Sequence, residues 1–282
     1  MHIFKTQVEL VSYLKSISKQ NYAIGFVPTM GALHEGHLTL IREAASNNFI
    51  IVVSVFVNPT QFNNAEDLAK YPKTLDEDIE KIKTISKTVI VFAPSVEDIY
   101  GGNTVSNHFD FDGLENQMEG KYRPGHFDGV GTIVKKLFEI VQPTNAYFGE
   151  KDFQQLQIVK KMVEKSKMKV NVIGCPIHRE KNGLAMSSRN ERLSNDERNE
   201  AAIIYKTLLK AKLLFKTKSA AAISELVIKT FEKHPHFELE YFQIADEATL
   251  IPCLRKSSEK KYRAFIAVFV NKIRLIDTIS LN

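Results

Sequence analysis

The chain has 282 residues, 44% hydrophobic and 25% charged, the composition of a globular protein long enough for one large domain or two ordinary ones. Its 38 Lys and Arg against 33 Asp and Glu leave a formal charge of +5, too thin an excess for a nucleic-acid footprint and better suited to small anionic substrates. The two cysteines, Cys175 and Cys253, exclude a disulfide framework and a four-cysteine zinc site, so a reducing, cytoplasmic setting is expected.

The opening MHIFKTQVEL lacks the basic start and apolar stretch of a secretory signal. Val8, Val11, Leu14 and Ile17 recur at helical spacing and predict a helix over 7–19. The apolar run 22–27, ended by Pro28, predicts a strand. Gly31 and Gly36 punctuate the next stretch, and 38–46 reads as a helix. Residues 49–57, rich in Val and Ile, predict a strand buried on both faces of a parallel sheet. This strongest apolar run is too short to cross a membrane as a helix. Thr74 is placed to cap a helix carrying Leu75, Ile79, Ile82 and Ile85 on one face. A strand follows at 88–92. The polar, glycine-rich stretch 101–129 holds a candidate strand at 105–111. Val130, Ile133, Val134, Leu137 and Val141 mark a helix, 146–148 a strand, 153–164 a helix and 170–173 a strand.

This alternation predicts an α/β fold with a Rossmann-like parallel sheet. Near Ser187 the character changes. A polar stretch leads to helical patterns at 198–215 and 219–232, then to strand-like runs at 239–245, 262–270 and 273–276. Helices first and strands after them predict a smaller α+β domain. The expected division is 1–176 and 177–282, the second acting as a lid.

The segments with chemistry sit at strand ends. VPTMGALHEGHLTLI, residues 27–41, joins a strand to a helix, where ligands of open α/β sheets bind. The first turn of that helix offers N–H groups and a positive dipole end to an anion. His34 and His37 can face one side of the turn, and Gly31 and Gly36 allow close approach to the backbone. Two imidazoles there can donate to charge developing on a phosphate. The order H-E-G-H is not the H-E-x-x-H of zinc proteases, and no third ligand is evident, so no protein metal site is expected. No P-loop or G-x-G-x-x-G is present, which weighs against kinase-type and dinucleotide readings.

In FVNPTQF, residues 56–62, Asn58 and Gln61 are neutral amides able to orient a hydroxyl or carboxylate, although Asn-Pro also starts turns. In FGEKDFQQLQ, residues 148–157, Gly149 opens the turn and Lys151 offers a mobile charge for phosphate. Asp152 can accept from ribose hydroxyls or cap the helix, and Gln155 falls in its first turn. In GLAMSSRNERL, residues 183–193, Ser187, Ser188 and Arg189 can grip phosphate oxygens from a mobile interdomain loop. The plain alternative is a linker with a capping serine. Arg123 and His126, in a Gly/Pro-rich loop, border the pocket or serve surface-loop chemistry. His2, His108, His234 and His236 read as ordinary surface or core histidines.

PTMGALHEGHL, FVNPTQF, RPGHFDGV, GEKDFQQL and GLAMSSRN occur together, in the order and spacing of the pantothenate synthetase family, which this chain resembles through the α/β part and into the second domain. The His-x-Gly-His core is also similar to the HIGH signature of the wider nucleotidyltransferase superfamily. The resemblance implies an AMP-forming ligase of coenzyme A biosynthesis, with residues 1–176 binding ATP and pantoate. The carboxylate of (R)-pantoate attacks the α-phosphate of ATP, releasing diphosphate and leaving pantoyl adenylate. The β-alanine amine then attacks the activated acyl carbon, giving pantothenate and AMP.

The resemblance further implies that ATP, with Mg²⁺ held chiefly by its phosphates, meets Met30, Gly31, Ala32, Leu33, His34, Glu35, Gly36 and His37. It adds Gly149, Glu150, Lys151 and Asp152, His178 near the adenine through its backbone, and Met186, Ser187, Ser188 and Arg189. Catalytic roles fall to His37 as proton donor and to His34, Lys151 and Arg189 on the phosphates. Gln61, Gln155 and Asn58 belong to the pantoate and β-alanine positions. The implied partners are these small molecules, with no nucleic acid and no membrane, and the implied assembly is a homodimer. Three positions depart from the family pattern: His178 replaces a small apolar residue, Lys181-Asn182-Gly183 an acidic one, and Lys73 an arginine. None is assigned to the chemistry. The alternative is another HIGH-type nucleotidyltransferase acting on a small phosphorylated acceptor. Gln61 and Gln155 weigh against it, because a phosphate calls for more Lys or Arg. A non-catalytic RNA-binding module lacks the interleaved aromatic and basic residues it would need.

Overall fold

In the computed structural model, which describes residues 1–17 and 22–282, the long apolar runs pair side by side as strands. The elements of the first part are β1 (His2–Phe4), α1 (Gln7–Ile17), β2 (Ile24–Thr29), α2 (Glu35–Asn47), β3 (Ile50–Val55), α3 (Ala65–Ala69), α4 (Leu75–Lys83), β4 (Ile90–Phe92), α5 (Val96–Tyr100), α6 (Met118–Tyr122), α7 (His126–Val141), β5 (Asn145–Gly149), α8 (Phe153–Lys165) and β6 (Asn171–Cys175). They build a six-stranded sheet in the order β1-β4-β3-β2-β5-β6, parallel at every pairing.

Val27 and Val53 face α2 through Ile41 and Ala44, while Phe26 meets Phe138 of α7 edge-on. Covered on both faces, the central strands are apolar without alternation, as a parallel sheet requires. The chain winds from β2 outward through β3 and β4, then returns to the other side of β2 for β5 and β6. The order therefore reverses between β2 and β5, and the crevice outside their carboxyl ends is where such sheets bind ligands.

Several expectations change. The candidate strand at 105–111 is an extended loop. The N–H groups of Asn107 and Phe109 donate to Thr132 Oγ1 (2.8 Å) and Asp128 Oδ1 (3.0 Å) of α7. Side chains thus satisfy backbone groups that a neighbouring strand would otherwise take. Phe49 precedes β3, is 71% exposed and stacks on Tyr22, so the buried run starts at Ile50. Thr74 occupies the N-cap position of α4 without capping it; its hydroxyl turns to Asp78 Oδ2 at 3.3 Å. Residues 18–19 of the first predicted helix lie outside the described residues. The strand β1 is too short to show a pattern.

The later part contains α9 (Asn195–Glu200), α10 (Ala202–Phe215), α11 (Ala220–Phe231) and a three-stranded antiparallel sheet of β7 (Phe237–Asp246), β8 (Tyr262–Val270) and β9 (Ile273–Ser280), in the order β7-β8-β9. Leu208, Ile223 and Phe231 of the helices pack with Ala264, Ile266 and Val268 of β8. The helix predicted over 198–215 is broken at Ala201, and α9 starts at a capping box of Ser194 and Glu197. By contacts, Met1–Glu115, Glu119–Gly149 and Gln155–Cys175 form one unit, and Asn116–Met118, Glu150–Gln154 and Pro176–Asn282 the other. Among the described residues no helix is long and apolar enough to cross a membrane.

Candidate functional site

In the first unit, the chain leaving β2 turns through two left-handed residues, Gly31 (φ 82) and Ala32 (φ 50). Such a turn points successive N–H groups at one anion. That anion is the protein's own: Asp78 Oδ2 accepts from Ala32 (3.0 Å) and Oδ1 from Leu33 (2.7 Å). Asp78 is fully buried. Burial pushes its pKa up, against the Leu33 and Ala32 N–H groups and the charge of Lys81. Lys81 Nζ in turn donates to the Leu33 carbonyl at 2.7 Å.

Within residues 30–37 several other groups have partners inside the protein. The Gly31 N–H donates to Thr29 Oγ1 (3.2 Å), the next two serve Asp78, and the Leu33 side chain belongs to the core. Glu35 pairs with Arg42. His34 and His37 form a pair, their rings stacked at 4.0 Å between centroids and 30° apart. The His34 N–H donates to His37 Nδ1 at 3.3 Å. An imidazole that accepts at Nδ1 carries its proton on Nε2, so Nε2 is the donor nitrogen of His37.

Beyond β3, Asn58 precedes a 3-10 turn, Pro59–Gln61. Asn58 is 1% exposed. Its Nδ2 donates to the Gly129 carbonyl (3.2 Å) and to Gln61 Oε1 (3.2 Å). Its Oδ1 accepts from the Tyr100 hydroxyl (2.6 Å) and Thr60 Oγ1 (3.2 Å). Both ends of the amide are engaged within the protein, and through Gln61 Oε1 Asn58 also orients its neighbour. The logic is directional. A carbonyl can only accept, so Gly129 fixes which end of Asn58 is the amine, and Asn58 then fixes Gln61 Oε1 as an acceptor. Gln61 Nε2 is left as the donor end, 3.3 Å from Met30 Sδ. From below, His126 Nδ1 donates to the Gln61 carbonyl at 2.8 Å, joined by Arg123 at 3.4 Å. These two residues act on the backbone of Gln61.

Gly129 lets this arrangement form. A Cβ there would lie 2.4 Å from the Thr60 carbonyl oxygen and 2.7 Å from Gln61 Cα. Gly129→Ala is expected to lose about 1–3 kcal/mol, the usual cost of overpacking, in a denaturant melt. An unchanged midpoint would show that the 58–61 segment yields freely. Gln155 is half-buried in the first turn of α8, and a Cβ at Gly149 would meet nothing within 4 Å.

In the second unit, Lys151 lies in the 3-10 turn Glu150–Asp152. Its side chain is 18% exposed and Nζ stands 3.5 Å from Asp152 Oδ2. The Glu150 side chain is tied to Arg263 (3.1 Å), which also holds Glu247 (3.0 Å) and lies 3.9 Å over the Phe153 ring. Its carboxylate thus serves the fold. His178 and Met186 are linked to each other: the Met186 N–H donates to the His178 carbonyl at 3.0 Å, beside the antiparallel bridge Arg179–Ala185. Arg179 forks onto Asp277 at 2.7 and 3.0 Å and covers the Tyr205 ring at 3.7 Å. Burial pushes the Asp277 carboxyl up in pKa, against the pull of Arg179.

Ser187 Oγ accepts from the Arg189 N–H at 3.3 Å, capping the turn Ser188–Arg192. Buried Asn190 donates to Glu180 (2.7 Å) and to the Ala185 carbonyl (3.0 Å). The segment thus runs from the antiparallel pairing of 178–186 into this capped turn. Sequence reasoning missed Asp78, Tyr100, Asn190 and the Arg179–Asp277 pair. Asp78 had a signal: it lies one turn from both Leu75 and Ile82, on the apolar face of α4.

A family model described as pantoate-beta-alanine ligase matches residues 2–280. The chain is 64% identical over 281 residues to the pantothenate synthetase of Flavobacterium psychrophilum, with 100% of each covered. It is similar to the crystal structure of pantothenate synthetase from Thermus thermophilus, at 38% identity and a TM-score of 0.91, over 100% of this chain and 99% of that one. It is also similar to the pantoate-beta-alanine ligase of Francisella tularensis, solved with beta-gamma ATP and beta-alanine, at 34% identity and a TM-score of 0.81, over 100% and 98%.

Proposed function

Because the chain belongs to the pantoate-beta-alanine ligase family, we propose that it joins (R)-pantoate to β-alanine, converting ATP to AMP and diphosphate through pantoyl adenylate. The observation that carries this reading is the stacked His34–His37 pair after β2, with the donor end of Gln61 turned to Met30.

A carboxylate is a poor acyl donor because its oxygen leaves badly, whereas AMP leaves readily. In the first step a pantoate carboxylate oxygen bonds to the α-phosphorus and the bond to diphosphate breaks. Negative charge grows on the departing phosphates. The Nε2–H of His37, the His34 ring, Lys151 and Arg189 are the donors assigned to it, doing most in the transition state. Gln61 and Gln155 hold pantoate through neutral amides. A lysine in their place would stabilise the free carboxylate and blunt its attack. Asn58 keeps Gln61 in orientation. In the second step the amine of β-alanine bonds to the acyl carbon and AMP leaves. Mg²⁺ travels on the ATP phosphates in this reading.

The assay is AMP and diphosphate release that requires both pantoate and β-alanine, with adenylate accumulating when β-alanine is withheld. ADP in place of AMP would sink the reading. A stable nucleotidyl product on a phosphorylated acceptor would replace it. The setting in this reading is the cytoplasm, in keeping with two buried free thiols, and the assembly a homodimer, which sedimentation would test.

A further inference from the structure

We propose that Asp78 is a positioning residue for adenylate formation, an internal anion that fills the nest of the loop after β2 and so aims His34 and His37 at the nucleotide. The inference rests on the ligase reading of those histidines.

Asp78 occupies a core-facing position of α4, beside buried Ile79 and Ile82, where an apolar side chain would avoid the cost of burying a carboxylate. Both of its oxygens go to the backbone of a distant loop. With Lys81 on the Leu33 carbonyl, two side chains of α4 hold the main-chain groups immediately before His34. The loop needs the help, because Ala32 sits in the left-handed region, a conformation unfavourable for any residue with a Cβ. An anion under the nest offsets that cost and fixes the peptide planes at once. The His34 N–H, next along the chain, is then directed to His37 Nδ1. That bond decides which nitrogen of His37 carries the proton. A chain of contacts therefore runs from the Asp78 carboxylate through two peptide groups to the donor face of His37.

The test compares wild type, Asp78→Asn and the double variant Asp78→Asn/Ala32→Gly, with each half-reaction followed separately. An asparagine can accept one of the two N–H groups but presents an amine to the other. Asp78→Asn is expected to slow adenylate formation about tenfold, as small misplacements of catalytic groups do, while the KM for β-alanine and the second step stay close to wild type. Adding Ala32→Gly removes the left-handed strain, so the double variant should recover melting temperature without recovering the adenylation rate. Recovery of both would show that Asp78 serves stability alone, and would overturn the proposal. So would a loss shared equally by the two half-reactions. If Asp78→Asn does not fold, Lys81→Met removes only the carbonyl tie; it is expected to slow adenylation selectively, and a normal rate there overturns the proposal. Wild type failing to release AMP with pantoate would instead mark failure of the ligase reading itself.

Discussion

His37→Ala is expected to slow pantoyl-adenylate formation roughly 100-fold or more, the usual loss when one transition-state donor is removed. The physical ground is the proton on Nε2. Nδ1 is committed to the His34 N–H at 3.3 Å, so Nε2 is a donor without any need for the ring to be charged. The variant also removes a partner from the start of α2, which costs about 1 kcal/mol when a cap is lost. That share is separable: a thermal melt reads it, whereas single-turnover quench with labelled ATP reads the chemical step. His37→Gln, with an amide N–H at comparable reach, should fall between wild type and alanine. A near-normal single-turnover rate in His37→Ala would remove the histidine from the mechanism.

Lys151→Ala is expected to cost a similar factor, roughly 100-fold on adenylate formation, by loss of a charge that neutralises departing phosphates. Its Nζ is 3.5 Å from Asp152 and its side chain is mostly buried, a geometry that leaves the charge available to a ligand. Arginine should rescue poorly, since a planar fork does not occupy the place of a compact ammonium. A second, smaller effect carries a definite sign. Asp277 has its pKa raised by burial, partly offset by Arg179 and, to a lesser degree, by Lys151. A carboxyl raised on folding favours the folded state below its unfolded pKa, and that advantage is lost as pH rises through the folded value. Removing Lys151 raises Asp277 further. The stability gap between wild type and Lys151→Ala should therefore stay constant up to 3.8, the unfolded value, and widen only as pH climbs through the folded pKa of Asp277 above it. Denaturant midpoints across pH would check this, and a gap that narrows instead would refute it.

Much of the α/β framework was legible because its signals are local. The runs that became β2 and β3 are apolar without alternation, and the helical spacing of Val130, Ile133, Val134, Leu137 and Val141 marked α7 directly. The histidine segment was legible for the same reason: strand end, glycine-bearing turn and helix start are adjacent in the chain. The loop at 103–111 was not, because its apolar residues alternate as in a strand. Only the hydroxyl of Thr132 and the carboxylate of Asp128, both on α7, show that its backbone is satisfied without one.

By itself, then, the sequence determined the α/β class, the motifs with their residue types and the family they belong to. It did so because residue type and short-range spacing limit the chemistry a segment can perform. Only the tertiary structure decided which of those groups face outward. Ala32 and Leu33 give their N–H groups to a carboxylate from another helix, Glu150 gives its side chain to Arg263, and Asn58 spends both ends of its amide inside the protein. Each of these partners is remote in the chain. A hydrogen-bonding group has only a few places for a partner, so the fold that fills them internally settles what remains for a ligand.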